Sequence, residues 1–431
     1  MATTQKRSKK NQTGASDGLL WLGVWLSAAL AHAVLLATRI ANTPSLPWHQ
    51  LQAFGAYTVG LILTAGLFRA QPTRADGRLI AMAYLLMGIG LAIQFRVGVF
   101  AGNGGQGVVI AVPIGLAALL AVLFTASRGR YRTLASLGWL CYFAAIAALA
   151  AMLVLGRRYR GGIYMPGNMN PSEIVKPLLV VFLAAFLSGR KADFSETQIG
   201  VPMPPARTLW LFAALWAVPV GLIILMRDLG LLLLLNAVLV IMLYAVARKI
   251  GYLIVGGVGV ALSGLVVGLI SAHARARFDV WLNPFADPTG KGWQVLQGLS
   301  AMYAGGLWGA GIGAGAPQAV PIVSSDFVYA ALAEEMGLIV CALLLMIFGM
   351  LALRGWSIAA RAKGPFGMLL GVGLTATLTV QALLNVGGVT KAIPMTGITL
   401  PFVSQGGSSL VAALVMIGLL AAMSDGRKGG A

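Results

Sequence analysis

The sequence predicts an all-α polytopic membrane protein of about twelve transmembrane helices with one large extracytoplasmic loop, and three observations predict it. The 431 residues are 58% hydrophobic and only 10% charged. A soluble domain carries about 25% charged residues, so this apolar excess is too large for one globular core, and lipid is the expected solvent. The apolar residues fall into separate runs long enough to cross a bilayer, and most basic residues lie in short clusters between them. The net charge of +19 is therefore distributed as topology signals. It is not gathered into a basic groove, so no nucleic-acid partner is expected.

A spanning helix needs roughly 20 mostly apolar residues. The tail 1–17 is polar, with Lys6, Arg7, Lys9 and Lys10, and the run after it has the character of a retained span, so no cleaved leader is expected. The first two spans fall near 18–38 and 50–68, followed by 79–97, 106–127 and 133–155. The run 172–189 counts as a span although it contains Glu173 and Lys176. Spans 208–226 and 229–247 are divided only by Arg227–Asp228. The last four are 251–271, 327–353, 366–385 and 407–423. The chain thus divides into a tail at 1–17, two helices within 18–76, a core at 77–423 holding the loop 272–326, and a tail at 424–431.

Twelve spans put both termini on one side, and the positive-inside rule identifies it. The N-terminal tail, Arg69/Arg74/Arg78, Arg128/Arg130/Arg132, Arg190/Lys191/Arg207, Arg248/Lys249, Arg354/Arg361/Lys363 and Arg427/Lys428 share that side. They make up about two-thirds of all Lys and Arg, so that side is expected to be cytoplasmic. Cys141 and Cys341 lie in apolar stretches, and His32, His49 and His273 are scattered, so neither a disulfide framework nor a metal site is expected.

The acids sort sharply by side. Asp17, Asp76, Asp193, Glu196 and Asp425 fall on the cytoplasmic side. Glu173, Asp228, Asp279, Asp287, Asp326, Glu334 and Glu335 fall in spans or outer loops. A charge in the membrane is costly unless it meets a cavity or a partner, so these seven are candidates for function. Buried ion pairs are the bland alternative, and Lys176 stands one helical turn from Glu173, at pairing distance. Glu334 and Glu335 have no base nearby in the sequence.

Arg157, Arg158, Arg160, Arg275, Arg277, Lys291 and Lys391 lie on the outer side against the orientation rule. Such a rim suits a lipid-linked phosphate, or simply headgroup anchoring. Arg39 and Arg96 stand alone and are expected to snorkel.

The stretch Phe278 to Gln294 is punctuated by Pro, Asn, Asp and Gly and is expected to be a turn-rich loop. Asp287 precedes Pro288, which biases it to extended backbone. A carboxylate beside Trp281 and Lys291 could act as a general base or could form the turn, and spacing alone leaves the two level. Residues 294–303 form an amphipathic stretch able to lie in the membrane interface. The glycines at 305–315 follow no strand, so a dinucleotide fingerprint is not supported and tight backbone packing is expected.

Four segments, in order, resemble one family. Asn170-Pro171-Ser172-Glu173-Ile174-Val175-Lys176 resembles its QPSExxK segment, and Arg227-Asp228-Leu229-Gly230 its PDLG. Asn283 to Gly315, with Ser325-Asp326-Phe327 and Glu334-Glu335-Met336-Gly337, resembles its large outer loop and following helix. Gln381 to Asn385, Thr396 to Phe402 and Gly406-Gly407-Ser408-Ser409 resemble its C-terminal segment. On these residues the chain resembles the SEDS glycosyltransferases (shape, elongation, division and sporulation), the RodA/FtsW group, over about residues 80–423. It departs from the pattern at Asn170, Arg227, Leu231, Ser324-Ser325 and Gln405, and none of these is an acidic position.

The resemblance implies a ten-helix core plus two N-terminal helices, leaning to the RodA-like members. It implies polymerisation of lipid II into glycan strands outside the inner membrane, for elongation or division. By resemblance Asp287 is the essential loop carboxylate. Glu173, Lys176, Lys291, Trp281, Arg277, Asp326, Glu335 and Ser408 are its substrate-binding candidates. A divalent cation, Mg or Mn, could assist with no metal ligands assigned, and a class B penicillin-binding protein is the expected partner. A flippase of a lipid-linked precursor is the main alternative, and a scaffold activating a transpeptidase is the second.

Overall fold

The computed structural model describes residues 18–37, 48–70, 75–101, 104–159, 162–165, 170–198, 201–202, 204–270 and 272–425. The tail 1–17, Arg39, Arg74, Arg160 and the end 426–431 lie outside the described residues.

The expected spans are helices. They are α1 Gly18–Ala37, α2 Trp48–Ala70, α3 Gly77–Arg96, α4 Gly104–Ala126, α5 Gly138–Leu155 and α6 Ser172–Gly189. After the short α7 Lys191–Ser195 come α8 Ala206–Met226, α9 Leu229–Ala247 and α10 Gly251–Ile270. Two helices of the long loop 272–326, α11 Ala272–Leu282 and α12 Trp293–Gly305, precede α13 Val328–Arg361, α14 Gly364–Val389 and α15 Gly407–Ser424. Among the described residues, 11 helices are long and apolar enough to cross a membrane, and α10 fills the remaining predicted span, the ninth at 251–271. The only strands described are two short antiparallel hairpins in linkers, Arg157–Tyr159 with Gly162–Tyr164 and Thr197–Gln198 with Val201–Pro202.

Local chemistry sets the helix ends. The Asp76 carboxylate accepts from Arg78 N at 3.1 Å and Leu79 N at 3.3 Å and so caps α3. Asp228 caps α9 in the same way, accepting from Leu231 N at 2.9 Å. Arg227, in left-handed conformation at φ 61°, ends α8 and turns the chain sharply into α9. Pro113, Pro177 and Pro219 sit inside α4, α6 and α8, as spans tolerate when neighbours support the backbone.

The bundle has an interior and a periphery. Span residues of α3, α6, α14 and α15 are 67–78% buried, while those of α1, α2 and α8 are 28% buried and face lipid. The N-terminal pair packs on α3 through aromatic contacts and on α4 where Leu116 lies against Gly60. Trp21 lies 6.1 Å from both Phe68 and Tyr84, and the Tyr84 hydroxyl meets Thr64 Oγ1 at 2.9 Å.

Two expectations need correction. The stretch from 278 was expected to be turn-rich, yet α11 stays helical to Leu282, and turns begin only at Asn283. The tenth span was expected to end at 353, but α13 continues to Arg361 because no proline interrupts it after Gly337. It also kinks at Gly337, at φ 80° and ψ 173°.

Candidate active site

The apolar interior holds a connected polar row. Pro171 opens α6, and the Asn170 side-chain oxygen accepts from the Ser172 hydroxyl at 2.6 Å, fixing the helix start. Glu173 then sits in the first turn, where the helix dipole favours an anion. Lys176 Nζ meets Glu173 Oε2 at 2.6 Å, with side chains only 3% and 11% exposed. The local pairing foreseen at this spacing is therefore formed.

The pair is tied into three further elements. Lys176 Nζ donates to Gln381 Oε1 on α14 at 3.0 Å, and Gln381 Nε2 donates to Thr399 O at 3.0 Å. Thr399 Oγ1 and Ser409 Oγ are 2.9 Å apart, and Ser408 Oγ accepts from Asn170 N at 3.0 Å. A buried ion pair survives only when such hydrogen bonds satisfy its remaining donors and acceptors.

Asp228 extends the row outward. The charges of Lys176 and Glu173 act on it from one side and that of Arg277 from another. Arg277, on α11, donates to Met395 O at 3.1 Å and Thr396 O at 2.6 Å. Gly397, at φ 74°, takes a left-handed backbone that strains other residues, and a Cβ there would crowd the Arg277 guanidinium at 3.2 Å. Burial pushes the Asp326 carboxyl above the usual carboxylate range, against the opposing charge of Arg277. Burial likewise lowers Arg277 from its ordinary value. Asn385 Nδ2 donates to Asp326 O at 3.0 Å and Ile398 O at 2.7 Å, which holds the segment before α13 against the segment after α14.

Asp287 stands apart. It is exposed, and its Oδ1 accepts from Gly290 N at 3.0 Å and its Oδ2 from Lys291 N at 2.9 Å. Its own carbonyl accepts from Gly292 N at 2.9 Å. The turn-forming role is thus formed, and the same bonds fix one orientation of an accessible carboxylate. No hydrogen bond or ion pair found among the described residues joins Asp287 to the interior row. Lys291 meets Asp287 through its backbone N–H, and Trp281 Nε1 donates to Lys391 O at 3.0 Å, anchoring α11.

Glu334 and Glu335 lie under the glycine-rich turn. Glu335 accepts from Gly313 N and pairs with Arg96 Nε at 3.0 Å. Arg96 donates to Gly315 O at 2.6 Å, and Glu334 Oε1 accepts from Ala316 N at 2.7 Å. Arg96 therefore does not snorkel, and Glu335 acquires the base that its sequence neighbourhood lacks. The expected tight glycine packing is present. A Cβ on Gly305 would sit 2.7 Å from Glu334 Cα, and one on Gly298 would strike the Phe327 ring, so α12 lies on α13.

Sequence reasoning counted Asp228 among the seven acids of the spans and outer loops without giving it a role, and gave Arg96, Gln381 and Asn385 no place among the candidate site residues. Gln381 and Asn385 stand four apart in an apolar span, so one helix face carries both, and that signal could have found them.

Among the described residues no three His, Cys, Asp or Glu side chains converge as a metal site. Mg²⁺, which usually takes one or two carboxylates with substrate phosphates, would need ligands from the substrate.

A family model described as cell cycle protein, covering FtsW, RodA and SpoVE, matches residues 76–429. The peptidoglycan glycosyltransferase RodA of Mycobacterium tuberculosis is 33% identical over 421 residues, covering 93% of this chain and 89% of that one. Stage V sporulation protein E of Bacillus subtilis is 36% identical over 256 residues, covering 59% and 68%. A solved structure concerned with polymerization and crosslinking by a peptidoglycan synthase complex matches with TM-score 0.67 at 27% identity, covering 82% of this chain and 98% of that one. RodA of Thermus thermophilus matches with TM-score 0.59 at 25% identity, covering 83% and 98%.

Proposed function

The chain belongs to the FtsW, RodA and SpoVE family, and from that premise we propose that it is a RodA-like peptidoglycan glycosyltransferase that polymerises lipid II with Asp287 as general base. The glycosyltransferase activity follows from the family. The observation that carries the finer reading is the contrast between an exposed, oriented Asp287 carboxylate and the fixed charges of Glu173, Lys176, Asp228, Arg277 and Asp326.

Asp287 takes the proton from an acceptor sugar hydroxyl as that oxygen attacks the anomeric carbon of the donor. The new glycosidic C–O bond forms as the bond from the anomeric carbon to the pyrophosphate oxygen breaks, and the lipid pyrophosphate leaves with the electron pair. In this reading Arg277 and Lys291, two cations of the outer loop, stabilise that developing charge. Glu173, Lys176, Asp326 and Ser408 belong to the polar row that, in this reading, positions the sugars and phosphates. Trp281 and Glu335 act by fixing α11 and the glycine-rich turn.

The orientation is that of the positive-inside rule, with both termini cytoplasmic and the loop 272–326 outside. The partner is a class B penicillin-binding protein, supported by the likeness to a peptidoglycan synthase complex. The row of intramembrane charges also suits a flippase of a lipid-linked precursor. Purified protein given lipid II without a membrane gradient separates the two, because only a polymerase yields glycan strands. The expected result is polymer from the wild type and none from Asp287→Ala, each measured with and without a chelator. Full-length polymer from Asp287→Ala would overturn the assignment.

A further inference from the structure

At the arginine-rich end of the bundle, a cavity of about 260 Å³ opens beside the last turns of α2 and α4. Its lining joins apolar Leu67, Phe68 and Phe124 to Ser127, Arg128 and Arg130, and no acid is among the described lining residues. Arg128 and Arg130 are exposed and take part in none of the ion pairs found among the described residues. The turn that holds them is tight, with Arg128 at φ 57° and Gly129 at φ 84°. Arginine in that conformation is uncommon, so the backbone is held there by its surroundings. The cavity also straddles a seam: α2 precedes residue 76, where the family match begins, and α4 lies inside it.

We propose that this cavity binds the headgroup of one anionic phospholipid of the surrounding leaflet, with its apolar part against α2 and α4. Two guanidinium groups with no ion-pair partner among the described residues supply charge-assisted donors to a phosphate. A basic pocket between spans at the end carrying the positive-inside residues is the setting in which acidic headgroups are bound. The apolar walls decide between a lipid and a free anion. Inorganic phosphate gains nothing from Leu67, Phe68 and Phe124, whereas a glycerol backbone and the first acyl carbons cover them. Exposed Ile62 and Leu63 of α2 continue the apolar surface beyond the cavity. The lipid then bridges the N-terminal pair to the family core.

The test is native mass spectrometry of the purified full-length protein supplied with equal phosphatidylglycerol and phosphatidylcholine. The wild type should retain one phosphatidylglycerol with roughly thirtyfold preference, as expected for two arginines at a charged membrane surface. Arg128→Gln with Arg130→Gln should abolish that preference, and Arg128→Lys with Arg130→Lys should keep most of it. Arg248→Gln with Arg361→Gln removes the same charge at the same end and should change nothing. The proposal is overturned by absence of a preference in the wild type, by its survival in the Gln pair, or by equal loss in the Arg248/Arg361 control. Displacement of the lipid by excess inorganic phosphate would also overturn it, marking a small-anion site instead.

Discussion

The Glu173–Lys176 pair and the Asp287 turn are built from the same kinds of group but are held by opposite means. Glu173 and Lys176 are buried, and their partners come from α6, α14 and the segment before α15. Asp287 is exposed, and its partners are backbone N–H groups three and four residues further along the same turn. The interior charges are therefore properties of the whole bundle, while Asp287 is a property of one loop. A reacting carboxylate must reach substrate and exchange its proton, which exposure permits. Charges that position a substrate must not move, which burial enforces. The difference teaches that damage in the two regions should read out differently, as lost chemistry in the loop and lost stability in the interior.

The largest effect is expected in the loop. Asp287→Ala should lower polymerisation by about two to four orders of magnitude, the usual range for a general base, with an unchanged melting temperature in detergent. A fall in melting temperature as large as that of the interior variants would erase the contrast, because Asp287 would then support the whole bundle and not only its own turn.

The interior should show the reverse. Lys176→Met leaves Glu173 buried without its cation and should cost about 3–5 kcal/mol of stability. Adding Glu173→Gln should restore much of it, since two neutral groups need no partner charge. Thermal melting of the single and double variants checks this, and no restoration would mean that the cost lies in packing.

Arg96→Ala strands Glu335 beneath the glycine-rich turn. Arg96 is 17% exposed, so the expected cost is smaller, about 2 kcal/mol. Faster proteolysis between Gly305 and Gly315 is the accompanying readout. Arg354→Ala should cost below about 1 kcal/mol, because its pair with Asp76 at 2.5 Å is 34% and 21% exposed at the opposite end.

Much of this was legible in the sequence. Hydropathy and basic clusters placed the spans because lipid imposes length and composition on each helix separately. The Glu173–Lys176 pair was legible because one helical turn separates the two residues. The Arg96–Glu335 pair was not, since it depends on how α3 meets the kink at Gly337 in α13, and no local pattern encodes that approach. The helical start of the outer loop was missed because Pro284, Asp287, Pro288 and Gly290 dominate its composition, while residues 272–282 contain no breaker. For Asp287, turn formation and catalysis call for the same residue at the same place. The hydrogen bonds establish the turn, and the proposed catalytic role rests on the resemblance to the family.

Asp287→Asn separates those two roles most directly. The amide oxygen can still accept a backbone N–H, so the turn is largely kept, but the group can no longer take a proton at neutral pH. Purified Asp287→Asn given lipid II should melt with the wild type and make no glycan polymer. Polymer of wild-type length from that variant would contradict the assignment of Asp287 as the base.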